Sequence, residues 1–217
     1  MMEKDEEFYQ KLSTGMMLAT AAGSLDAYSY LHDGGVFAGL QTGNLILMGM
    51  HIGSRDFSQA GLELFSIFMF MIGVFIIRVI QQHYPSEVAL KRQSLTLIYE
   101  IAIFVLVAFL APLMPRMLTA GFLSIAAAGQ LQEFRLMKGK PFTSLMMTGH
   151  LRTFSESIFD FLTTGDKDAG NRAGRIILVI TAFAFGAFLS GLLLPILGAK
   201  TILISAVALL LTLVFGR

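Results

Sequence analysis

Residues 23–44 read GSLDAYSYLHDGGVFAGLQTGN, and residues 129–150 read GQLQEFRLMKGKPFTSLMMTGH. Each stretch starts at a glycine that follows small residues, Ala21-Ala22 in one and Ala126-Ala127-Ala128 in the other, and each runs to a Thr-Gly pair. The spacing is the same, 19 residues from Gly23 to Thr42 and 19 from Gly129 to Thr148. Both hold a helix breaker midway, His32-Asp33-Gly34-Gly35 and Lys138-Gly139-Lys140-Pro141. The match continues into Leu45 and Leu151, and Gly73-Val74-Phe75 resembles Gly186-Ala187-Phe188 after a small insertion. Register, breaker position and following hydropathy agree together, which marks an internal repeat.

The chain around these stretches is apolar. Of 217 residues, 55% are hydrophobic and 14% charged, whereas soluble domains carry about 25% charged residues. Mean hydropathy is strongly positive. Six segments are apolar enough to span a bilayer: 15–31, 61–80, 95–113, 118–137, 176–197 and 201–215. At about 1.5 Å rise per residue, such helices cover roughly the 30 Å of a hydrocarbon core. Segments 36–52 and 142–162 are ambiguous, since the first holds Gln41, Thr42, Asn44 and His51 and the second His150, Arg152, Glu156 and Asp160. Full spans, re-entrant half-helices and surface helices all remain open for them.

The expected fold is therefore an all-α integral membrane protein, with six transmembrane helices plus two interrupted, re-entrant or amphipathic segments. An acidic tail, 1–13, precedes a first repeat at 14–113 and a second at 117–217, which together form one membrane domain. Three spans per repeat is an odd number, so the copies enter the membrane in opposite directions, the plan of many secondary transporters. With both ambiguous segments returning to the side they left, thirteen Lys and Arg lie on the N-terminal side and three (Arg55, Arg116 and Lys200) on the other. The positive-inside rule then places both termini in the cytoplasm. A net charge of +1 offers no basic field for nucleic acid. The absence of cysteine excludes disulfides and thiolate metal sites.

Leu25-Asp26-Ala27, Gly34-Gly35-Val36-Phe37 and Thr42-Gly43-Asn44 resemble the first-half signature of the YoaK-like bacterial membrane proteins, a family named as a domain of unknown function. Gly129, Gln132 and Met147-Thr148-Gly149 resemble its second signature, and the chain departs from the pattern at Gln41 and Glu133. The resemblance implies a bacterial inner-membrane location and a transport role.

Several polar residues stand where apolar ones are expected. Asp26 lies about two-thirds along the first span, with Ala22, Gly23 and Tyr30 on its face. A carboxylate at that depth faces the protein interior, where it binds substrate or a proton or pins the following turn. Glu100, flanked by apolar residues near the start of its span, is a second proton-coupling candidate. Thr42, Gly43 and Asn44, and Thr148, Gly149 and His150, are expected in the middle of the interrupted segments, with Thr capping a helix that restarts after the glycine. Such a helix start suits an anionic or polar ligand, and the two motifs are expected to approach each other near the midplane. Gln132 is the register partner of Asp26, and Gln41, Glu133 and Arg152 complete the candidate substrate site. Pairing of Arg152 with Glu156 and of Arg135 with Glu133 is the simpler use of those charges.

No enzyme constellation, metal-ligand spacing or cofactor motif is present. The reading is a small secondary transporter for a small polar or anionic solute, moved around a site between two interrupted segments. A channel with the same loops as its constriction and a non-transporting scaffold are the alternatives. A bundle this thin is expected to pair as a homodimer.

Overall fold

The computed structural model describes residues 8–84, 89–137 and 140–216. The acidic residues expected in the tail (Glu3, Asp5, Glu6 and Glu7) lie outside them, as do Lys138, Gly139 and Arg217. The chain is helical: α1 Leu12–His32, α2 Gln41–Gly53, α3 Phe57–His83, α4 Ala89–Leu110, α5 Arg116–Glu133, α6 Met147–Thr164, α7 Lys167–Leu197 and α8 Leu203–Phe215. Short 3₁₀ turns at Phe8–Gln10, Ala111–Leu113 and Gly198–Ile202 lead into α1 or follow α4 and α7. A two-residue antiparallel hairpin pairs Leu136–Met137 with Lys140–Pro141, a feature the sequence reading lacks.

Three stretches are long and apolar enough to cross a membrane: Phe57–His83, Ala89–Leu113 and Lys167–Phe215. Helices α1 and α5 fall outside that set, and much of each is buried against the rest of the bundle, through small residues such as Ala22, Gly23, Ser24, Ala126 and Ala127 and larger ones such as Leu25, Tyr28 and Leu123.

Boundaries differ from expectation where local chemistry decides them. Helix α4 starts at Ala89, six residues ahead of the expected 95, so Glu100 is twelfth of its 22 residues and not near its edge. Helix α5 stops at Glu133 and not at 137, since the chain turns there into the hairpin. Helix α7 begins at Lys167, where Asp166 accepts a hydrogen bond from Asp168 N. Its 31 residues make about 46 Å, longer than a hydrocarbon core. Gly165, at φ +71°, ends α6 and lets it fold back along α7.

Glycines set the closest crossings. A side chain at Gly23 would strike the Phe183 carbonyl, and one at Gly186 would strike the Thr20 carbonyl, so α1 and α7 touch backbone to backbone. Gly73 does the same for α3 against Ile125 and Ala128 of α5. Buried hydroxyl pairs stitch the crossings, Ser24–Ser190 at 2.8 Å and Ser66–Ser124 at 2.7 Å.

These contacts also give the helix directions. The pairs Thr20–Ala182 and Ser24–Ser190 make α1 and α7 parallel. Ser66–Ser124 and Gln81–Gln132 make α3 and α5 parallel. Helix α4 runs antiparallel to α5, with Arg92 on Glu133 and Glu100 on Gly129. Helix α8 runs antiparallel to α1, with Ser205 on Ala21 and Gly216 on Thr14. Leu18 meets Gln130, which joins the start of α1 to the end of α5.

Candidate functional site

After α1 the chain turns at Gly34 and Gly35, whose φ values of +93° and +85° are strained for other residues. It then runs back beside the helix it has just left. Asp26 Oδ1 accepts hydrogen bonds from Gly39 N at 2.6 Å and Leu40 N at 3.4 Å, and Ser29 Oγ accepts one from Ala38 N at 2.9 Å. Leu40, the residue ahead of α2, has no capping side chain. Asp26 on α1 supplies the negative charge there instead, at the positive end of α2. Asn44 locks the loop: its Oδ1 accepts from Phe37 N at 2.9 Å and its Nδ2 donates to Phe37 O at 2.7 Å. Tyr30 stacks on Phe37. Gln59 of α3 donates to the Gly34 carbonyl, so the segment between α1 and α3 leaves and returns at the same end of the bundle.

The second half repeats this geometry with different side chains. Gln130 Nε2 donates to Leu18 O at 2.8 Å and to Ser144 Oγ at 2.6 Å. His150 Nε2 donates to Thr143 O at 2.9 Å, spanning the same seven residues as Asn44 and Phe37. Met146 stands ahead of α6, again with no capping side chain. The two loops meet where Leu145 packs on Gly39, and a methyl built on Gly39 would also lie 3.3 Å from Asp26 Oδ1. Leu145 is buried, so this contact is closed.

The structure moves several predicted residues. Thr42-Gly43-Asn44 and Thr148-Gly149-His150 sit in the first turns of α2 and α6, not mid-segment, and neither threonine caps a helix. The breaks fall upstream because Gly34 and Gly35 in one half, and the hairpin in the other, already reverse the chain. What meets across the halves is Gly39 and Leu145. Gln132 and Glu133, shortly after Gln130 on α5, bond α3 and α4 instead of joining that contact. Gln132 Nε2 donates to Gln81 Oε1 at 3.1 Å and Arg92 Nε to Glu133 Oε1 at 2.7 Å. Arg92, not Arg135, is thus the partner of Glu133. Arg152 and Glu156 do pair, at 3.7 Å and well exposed. Gln41 Nε2 donates to Ala38 O at 2.7 Å, and Thr42, Thr148 and Gly149 are exposed.

A cleft of about 460 Å³ opens beside the start of α6, lined by Arg135, Phe142, Thr143, Met146, His150 and Arg152. Sequence reasoning missed Ser144 and Leu145, and it missed Glu63, which is buried and bound to His51 at 2.7 Å. The signal for Glu63 was present: an acid inside an apolar run. Asp33, at the end of α1, bonds His32 at 2.7 Å. Burial pushes its carboxyl above the ordinary 3.8, an effect that His32 and Arg116 reduce. No cluster of three or more His, Cys, Asp or Glu is placed for a metal among the described residues.

These features define a helical bundle of membrane type, in which two interrupted segments fold back and close on each other. Over residues 14–215 the chain matches the family described as "Protein of unknown function (DUF1275)", and it belongs to that family, in agreement with the YoaK-like resemblance. No curated protein and no solved structure matches it.

Proposed function

We propose that the protein is a small secondary transporter of the bacterial inner membrane, with both termini cytoplasmic and two inverted three-span repeats. The observation that carries this reading is the meeting of the two returning loops at Gly39 and Leu145, beside Asp26. Helix packing supports it. Exchanging α1, α2, α3 and α4 for α5, α6, α7 and α8 turns each main packing pair into another: α1·α7 into α5·α3, α2·α3 into α6·α7, and α4·α5 into α8·α1. Opposed halves that close on a shared contact suit rocking around a central site. The solute is small and polar or anionic, received by the first turns of α2 and α6 through Thr42, Thr148, His150 and Arg152. Protons couple the movement, and two copies pair in the bilayer.

The test uses the cysteine-free chain. Single cysteines replace the exposed Thr42 and Thr148, and intact cells are treated with a membrane-impermeant thiol reagent. Labelling of Thr42→Cys from outside and of Thr148→Cys only after permeabilisation is expected. Labelling of both from one face would overturn the inverted arrangement. Flux into proteoliposomes decides the activity: saturable, gradient-driven uptake is expected. Non-saturating conductance would make the protein a channel, and no flux for any polar solute would leave a scaffold.

A further inference from the structure

Five carboxyl groups are buried among the described residues: Asp26, Asp33, Glu63, Glu100 and Glu133. Four of them have partners. Asp26 holds the N–H groups of Gly39 and Leu40, Asp33 holds His32, Glu63 holds His51 and Glu133 holds Arg92. Glu100 is fully buried, and neither of its oxygens has a hydrogen-bond partner.

Its surroundings explain how it fits. Glu100 stands mid-way along α4 and faces Gly129 of α5. A methyl built on Gly129 would lie 3.4 Å from Glu100 Oε1, 3.4 Å from the Tyr99 ring and 3.5 Å from the Thr96 methyl. The carboxyl thus lies within ordinary van der Waals reach of that position, enclosed between α4 and α5. Charged groups on the packed elements are engaged elsewhere. On α4, Lys91 lies over the Tyr84 ring and Arg92 binds Glu133 of α5. Lys200, between α7 and α8, lies over Phe109 at the far end of α4. Arg78 of α3 donates to Gln81, and Tyr9 of the first 3₁₀ turn meets Ser94. Helix α8 carries no titratable side chain. Among the described residues Tyr99 is the titratable neighbour, and its hydroxyl is likewise without a hydrogen-bond partner.

An ionised carboxylate buried in such a place has no cation or N–H group among the described residues to stabilise it. We propose that Glu100 is a proton-binding site, holding its proton while α4 and α5 stay packed and exchanging it when they part. A hard metal ion would need about six oxygens, and the acid and histidine clusters that supply them are absent among the described residues. The position also suits coupling. Gly129 is followed by Gln130, which holds Ser144 beside Leu145, the residue that closes on Gly39. Use of the proton to drive flux rests on the transporter reading; its residence on Glu100 does not.

Infrared spectra of the full chain in lipid test this, read at the carbonyl stretch of protonated carboxyl groups. Glu100→Gln should remove one such band at neutral pH and leave the thermal unfolding midpoint unchanged, because a neutral isostere replaces a neutral group. Absence of any carboxyl band sensitive to Glu100→Gln would overturn the proposal, whatever flux shows. Conversion of the band to a carboxylate by sodium at constant ionic strength would overturn it too, by making Glu100 a cation site. If Glu100→Gln does not fold, the native chain is treated with a hydrophobic carbodiimide, whose carbon adds the carboxyl oxygen while the acid proton moves to nitrogen. Mass spectrometry should then find the adduct on Glu100, and its absence there would count against the site. A proton band without any flux would sink the transporter reading alone.

Discussion

The two returning loops, one reversed at Gly34-Gly35 and the other after a short hairpin, are fastened differently. In the first half the buried Asp26 holds the start of α2, and the buried Asn44 bonds both backbone groups of Phe37. In the second half the register partner of Asp26 is Gln132, which faces Gln81 instead, and His150 makes one bond to Thr143. No acidic residue lies in the first turn of α6, and a cleft with Arg135 and Arg152 opens beside it. The return is therefore held by a buried carboxylate on one side and by a lone amide and imidazole on the other. The first loop is fastened by buried side chains, and the second has an open cleft beside it.

The largest effects should come from the crossings that hold the halves together. Gly186→Leu drives a side chain into the Thr20 backbone, and we expect a loss of more than about 3 kcal/mol, since backbone yields less than side chains. Gly73→Leu meets the Ala128 side chain and the Ile125 backbone, for a loss of about 1–3 kcal/mol. Thermal unfolding in detergent by circular dichroism checks both, and a milder Gly186→Leu would break the ranking. Next come the fastenings. Asp26→Ala leaves the N–H groups of Gly39 and Leu40 unpaired, at about 3 kcal/mol, whereas Gln132→Ala, which removes an amide contact with Gln81, should lose about 1 kcal/mol. Equal losses from the two would mean that the halves are fastened alike.

The close crossing at Gly23 was legible, because a backbone-to-backbone approach admits only glycine and that demand survives in sequence. The turn at Gly34-Gly35 was legible because both residues take a positive φ that favours glycine. The hairpin after Glu133 was not, since Phe134 to Met137 is as apolar as a helix continuing through the membrane. Nor was the fastening legible. Which backbone N–H group Asp26 reaches depends on a loop thirteen residues away, and no periodicity encodes it. Leu145 reads as an ordinary apolar residue until Gly39 is seen opposite it. The partner of Glu133 was misread because Arg135 is near in sequence and Arg92 is near only in space.

Two smaller tests sharpen the comparison. Asn44→Ala removes a donor and an acceptor from Phe37, for about 2 kcal/mol, against about 1 kcal/mol for His150→Ala; chemical unfolding would rank them. The smallest effect is a pH dependence that belongs to the first turn. Residues 134–149 carry no acid, whereas Asp33 is buried with Oδ2 unpartnered. Burial raises its folded-state pKa above 3.8. The stabilising contribution is therefore complete below that ordinary value and is lost as pH rises through the folded-state value. Asp33→Asn abolishes the titration. Relative to the native chain the variant should gain stability steadily from acid toward neutral pH. Parallel curves for the two proteins would show that His32 and Arg116 already neutralise Asp33, and the first turn would then be as insensitive to pH as the second.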